Sequence, residues 1–144
     1  MVHISKHPVK KQVMDTLLSD LSELFLANTK KKDFSKTLFE LLSKPERIML
    51  AKRVGIINAL IHNYSVYETS ALFKVSTSTV ARTQEDIERG ALSHIVKVLT
   101  NKSGRAKLIR TLEQIVTFGF PGVPQKRLRE KMRRDIEVWR AGGA

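Results

Sequence analysis

From Val9 to Ala27 there are apolar residues at positions 9, 13, 14, 17, 18, 21, 24 and 25. That three-and-four spacing lays one stripe along an α-helix. The polar run Asn28 to Asp33 interrupts it, and Phe34, Leu38, Leu41 and Leu42 mark a short second helix. Ser43-Lys44-Pro45-Glu46 is a start signal: a capping hydroxyl, a proline that needs no donor, and an acid at the positive helix end. The third helix then runs to about His62 with Leu50, Val54, Ile57, Leu60 and Ile61 apolar. It is apolar around much of its circumference, which places it centrally and in contact with a second chain. Asn63 to Ser65 and Lys74 to Ser76 read as turns around a short helix, Val66 to Phe73. Another helix spans Thr77 to about Arg89, and Ala91 to Leu99 continues the body. Ala106 to Phe118 is amphipathic through Leu108, Ile109, Leu112, Ile115 and Val116, and Gln125 to Arg140 through Leu128, Met132, Ile136 and Trp139. No useful length alternates as a strand does, so the pattern predicts an all-α fold.

The segment from Ser65 to Arg82 has the parts of a DNA-binding helix-turn-helix, expected over about 65–89. Val75 would anchor the turn, Ser76 would cap the second helix, and Val80 would fix its underside. Small polar residues at the start of that helix can approach base edges. The DNA-contacting candidates are Tyr67, Ser76, Thr77, Ser78, Thr79, Ala81, Arg82 and Gln84. Lys74 stands where such turns usually carry glycine, a cost of about 1 kcal/mol if the backbone there is left-handed. Thr69 and Ser70 replace the usual apolar and small residues, so either the supporting helix packs weakly or the register of the motif is shifted by one.

Charge sharpens this picture. The chain of 144 residues holds 26 Lys and Arg against 14 Asp and Glu, a formal charge of +12. Such a bias suits a polyanionic partner. It is uneven: residues 1–101 carry 15 basic and 10 acidic side chains, residues 102–144 carry 11 and 4. Glycine and proline gather late, at Gly119, Pro121, Gly122 and Pro124 and at the Gly142–Gly143 end. The expected organisation is therefore a helical DNA-binding body over 8–100 and a basic helical extension over 101–144. Lys126, Arg127, Arg129, Lys131, Arg133 and Arg134 in the extension, and Lys74 in the turn, are candidate phosphate contacts.

The stretch Leu41 to Leu60 resembles the segment before the reading head in the Trp repressor family. There a leucine-rich run leads into Pro-x-Glu-Arg or a close variant, then Leu-x-x-Arg-Val; here stand Lys44-Pro45-Glu46-Arg47, Leu50 and Arg53-Val54. Ser78-Thr79-Val80-Ala81-Arg82 is similar to the family's Ala-Thr-Ile-x-Arg. The resemblance covers roughly residues 34–90 and, more loosely, the first helix. It fits the less characterised branch of the superfamily better than the tryptophan sensor. It implies a Trp repressor-like multi-helix domain, an intertwined homodimer built from the outer helices, and paired reading heads on successive major grooves of double-stranded DNA. It also pairs Arg53 with Arg82 as a possible effector pocket. Thr83 replaces a glycine beside the second arginine and would crowd such a ligand, so tryptophan is not the expected effector.

The remaining chemistry is sparse. With no cysteine there is no disulfide scaffold and no thiolate site, which fits a cytoplasmic setting. His3, His7, His62 and His94 are scattered and lack metal-site partners. No glycine-rich phosphate loop and no catalytic triad pattern occurs, so neither enzyme activity nor a cofactor or metal is expected. No apolar run approaches a membrane span. The reading is a sequence-specific transcriptional regulator acting as a homodimer. The alternatives are an architectural or RNA-binding protein that uses the basic surface without strong base readout, and a hairpin that binds protein.

Overall fold

The computed structural model describes residues 9–118 and 126–142, apart from the side chains of residues 102 and 116–118. The Val116 side chain, the segment from Gly119 to Gln125, Gly143, His3 and His7 thus lie outside the description. Every regular element in it is a helix: α1 (Lys11–Leu26), α2 (Lys31–Leu41), α3 (Lys44–Ile61), α4 (Val66–Phe73), α5 (Thr77–Glu88), α6 (Ser93–Leu99), α7 (Lys102–Phe118) and α8 (Lys126–Arg140). None of the described helices is long and apolar enough to cross a membrane.

Two starts differ in detail from the pattern. At α3 the Ser43 hydroxyl does not cap backbone donors. Instead the Glu46 carboxylate reaches back, accepting from the Ser43 N–H at 2.8 Å and from its hydroxyl at 2.6 Å. Those bonds hold the Glu46 carboxyl below the usual range. The α7 helix begins four residues before the apolar run suggests, because Asn101 Oδ1 accepts the Gly104 N–H at 2.9 Å, a cap that hydrophobic spacing does not register.

The chain divides into two compact units, Met1–Ile48 and Met49–Ala144. In the first, the Phe25 and Phe34 rings meet at 5.5 Å, and Thr37 donates to Asn28 Oδ1 at 3.1 Å. Arg47 lies over the Phe39 ring and donates to the Phe39 and Leu42 carbonyls. Yet no described side chain from Val9 to Gly55 is buried. The α1 stripe stands open, with Leu17 and Leu18 about half exposed at 52% and 53%.

The second unit holds the core. Ala59 of α3, Tyr64, Leu72 of α4, Leu108, Ile109, Leu112 and Ile115 of α7, and Leu128, Met132 and Ile136 of α8 form one buried cluster. Trp139, Ala71 and Phe73 pack on it, partly buried. Within this unit α7 and α8 share the cluster with α3 and α4. Nor is α3 central along its length. Ile56, Ile57, Asn58 and Ala59 are buried, whereas Ile48, Met49, Leu50 and Val54 remain nearly half exposed. Two glycines permit close approach. A Cβ on Gly55 would press into the Phe73 ring, and one on Gly104 would overlap the Leu99 carbonyl.

Candidate nucleic-acid interface

The hairpin from α4 to α5 is fastened at both ends by local chemistry. Ser65 and Glu68 form a capping box: Ser65 Oγ accepts the Glu68 N–H at 3.2 Å, and Glu68 Oε2 accepts the Ser65 N–H at 2.8 Å. At the other end Lys74 is left-handed (φ 49°, ψ 61°), so the cost anticipated for a non-glycine residue there applies. Ser70 closes the turn. Its carbonyl accepts from the Lys74 and Val75 N–H groups, and its hydroxyl donates to the Val75 carbonyl at 2.7 Å. Lys52 adds a bond to the Lys74 carbonyl at 3.3 Å.

The supporting helix is better packed than its sequence suggests. Thr69 and Leu72 are fully buried. The Thr69 hydroxyl has no hydrogen-bond partner among the described residues, which costs about 1–3 kcal/mol relative to a satisfied group. Packing is kept and the penalty accepted in polar desolvation.

The second helix opens on Ser76, whose Oγ accepts the Thr79 N–H at 3.2 Å. That hydroxyl also lies 3.0 Å from Ser78 Oγ and 2.8 Å from Thr79 Oγ1. Val80 is fully buried and pins the underside. Thr77, Ser78, Thr79 and Arg82 are exposed, while Ala81 and Gln84 are half-buried. Gln84 donates to Glu88 at 2.7 Å and lines, with the largely exposed Tyr67, a cleft of about 620 Å³ bounded by Leu60, Val66 and Ile87. Arg53 and Arg82 are both exposed, and neither lines this cleft. Thr83 is half-buried and donates to the Thr79 carbonyl at 3.0 Å.

The basic residues of α8 separate into two groups. Lys126, Arg127, Arg129, Arg133 and Arg134 are exposed. Lys131 is turned inward: its Nζ reaches Glu68 Oε2 at 2.8 Å and the Asn63 carbonyl at 2.9 Å, and stands 4.3 Å from the Tyr64 ring centroid. These contacts tie Lys131 to the start of α4. Beside it the Tyr64 hydroxyl donates to Asp135 Oδ2 at 2.5 Å. Spacing on α8 alone did not single out this cluster of Tyr64, Glu68, Lys131 and Asp135. The sign of it that the sequence carries is Ser65-x-x-Glu68, the pattern of a capping box.

The cluster perturbs its members. Burial pushes the Glu68 carboxyl up, but the bonds from Lys131 and Ser65 outweigh it and hold the group below its usual value. Burial foremost, then Asp135 and Glu68, pushes the Tyr64 phenol well above its ordinary range. The unfolded chain therefore releases the tyrosine proton first as pH rises. Stability from this group is complete below about pH 10 and falls above it. Tyr64→Phe should flatten that alkaline loss in urea melts; an unchanged slope between neutral and alkaline pH would contradict the assignment.

No known protein family, no curated protein and no solved structure matches the chain.

Proposed function

We propose that this protein is a sequence-specific DNA-binding regulator that acts as a homodimer, with α5 entering the major groove. The observation that carries the reading is the start of α5. Thr77, Ser78 and Thr79 stand exposed on a helix whose underside is anchored by the fully buried Val80. The helix follows a tight left-handed turn from a supporting helix, the arrangement a major-groove reader needs. The positive N-terminal end of that helix favours a phosphate beside the groove. A Trp repressor-like organisation is part of this proposal and rests on the residues quoted from 34–90.

The open apolar stripe of α1 supports a second copy as partner. A unit whose described side chains include no buried residue has no core of its own, and exposed apolar surface of that kind is ordinarily covered by association. The exposed cations of α8 also keep the architectural or RNA-binding reading alive, since charge without base contact gives affinity without preference.

One experiment separates these readings. Random duplex pools are selected at two salt concentrations, with sedimentation at micromolar protein run in parallel. A palindromic motif bound by a dimer is expected. Arg82→Ala should weaken all sequences alike and lower the salt slope by about one ion. Thr79→Ala should alter preference instead, by roughly 1–3 kcal/mol at one base pair. Salt-sensitive binding without a motif would favour the architectural reading, and wild-type affinity in both variants would remove α5 as the reading head.

A further inference from the structure

We propose that Arg127 and Arg134 of α8 form a second DNA-contacting surface beside the hairpin, gripping the phosphate backbone next to the groove that α5 enters. This surface presupposes that the hairpin reads DNA, and adds to it a helix outside the hairpin. Lys131 fixes the geometry. Its Nζ reaches Glu68 Oε2 at 2.8 Å and the Asn63 carbonyl at 2.9 Å, so this flank of α8 lies against the start of α4. Arg127 stands four residues before Lys131 and Arg134 three after it, which sets them on the same flank of the helix. Both arginines are exposed, and among the described residues neither makes an ion pair. The start of α4 is open beside them, with Ser65 and Tyr67 exposed.

Charge and spacing name the partner. In a helix-turn-helix on DNA the second helix enters the major groove and the first crosses the backbone. Cations fastened beside the start of α4 therefore meet phosphate rather than base edges, and a guanidinium fork matches phosphate oxygens. Arg127 and Arg134 are seven residues apart, about 10 Å along the helix axis. One DNA strand rises that far over about three phosphates, so the two can lie along a single strand. The Glu68 carboxylate at this seam is neutralised by Lys131, and Asp135 turns to the Tyr64 hydroxyl, so neither repels the backbone. The other exposed cations of α8 face elsewhere. Helical geometry sets Lys126, Arg129 and Arg133 on the opposite flank, beyond Glu130 and Glu137. That flank ends at Arg140, which pairs with Glu113 of α7.

The test compares the two flanks of α8 on one probe. The full chain is titrated with a mixed-sequence DNA duplex of about 30 base pairs, long enough for two half-sites a helical turn apart, between about 50 and 200 mM salt. Arg127→Gln/Arg134→Gln should lower the salt slope by about two ions per chain. Across that range wild-type affinity should then fall about tenfold more than the variant's, or further. The motif recovered from random pools should be the same for both, because phosphate contacts position and base contacts specify. Arg129→Gln/Arg133→Gln should change the slope by roughly half as much or less, with melting curves showing both variants folded. Arg82→Ala and Thr79→Ala separate this surface from the hairpin. If they act and Arg127→Gln/Arg134→Gln leaves the slope unchanged, the hairpin stands and this surface is overturned. If Arg127→Gln/Arg134→Gln lowers the slope while both α5 variants bind as wild type, α8 holds DNA without the hairpin, and the surface as its extension is overturned too. Equal losses from the two α8 variants would mark diffuse charge rather than contact and would overturn it, as would a wild-type chain that leaves the duplex unbound.

Discussion

A chain that ends before Lys126 is expected to lose cooperative unfolding altogether, rather than only its affinity for anions. Leu128, Met132 and Ile136 are at most 6% exposed and cover Leu108, Ile109, Leu112 and Ile115. Leu128→Ala alone should cost about 3 kcal/mol and Met132→Ala a similar amount, because each leaves a cavity in a closed cluster. Removing the whole helix forfeits these terms together with the Lys131 and Asp135 contacts. That loss is comparable with the entire stability of an ordinary domain, about 5–15 kcal/mol. Thermal and urea melts of the truncated chain measure it. Exchanging Arg129 and Arg133, both exposed, for glutamine should leave the melt nearly unchanged and act only on salt-dependent binding. If the truncated chain melts like the full one, the packing role of α8 is wrong and its charge is its only business.

The second large effect is expected at Gly104. A Cβ built there would overlap the Leu99 carbonyl oxygen and lie within 2.7 Å of the Leu99 Cα. The obstacle is backbone, so no rotamer change relieves it and α6 must move off α7. The Gly104 carbonyl also accepts from Asn58 Nδ2 at 3.0 Å, inside the protein. Displacing it would leave a second polar atom of Asn58 unpaired, beside the Oδ1 that has no partner among the described residues. Gly104→Ala should therefore cost about 3 kcal/mol or more, beyond most overpacking substitutions. Gly55→Ala meets only the Phe73 ring, which can shift, and should cost less. Parallel urea melts order the two; a Gly104→Ala protein as stable as wild type would show that the α6–α7 approach is not this close.

The helices were legible in the sequence because each satisfies a local rule. The α1, α4, α5 and α8 segments fall within a residue or two of their apolar periods, since period and capping act over a few residues along the chain. The hairpin was legible for the same reason: Ser76 caps and Val80 turns inward whatever surrounds them. Other features depend on which surfaces meet. Nothing along α8 distinguishes Lys131 from Arg129 or Arg133; only the approach of Tyr64 and Glu68 spends its charge inside the protein. The third helix shows the limit from the other side. Its apolar residues look alike along the chain, yet Ile56 and Ile57 are buried while Leu50 and Val54 are not. Hydrophobicity states that a side chain gains by leaving water. Which neighbour covers it is decided by residues far away in the chain, through contacts that no local period records.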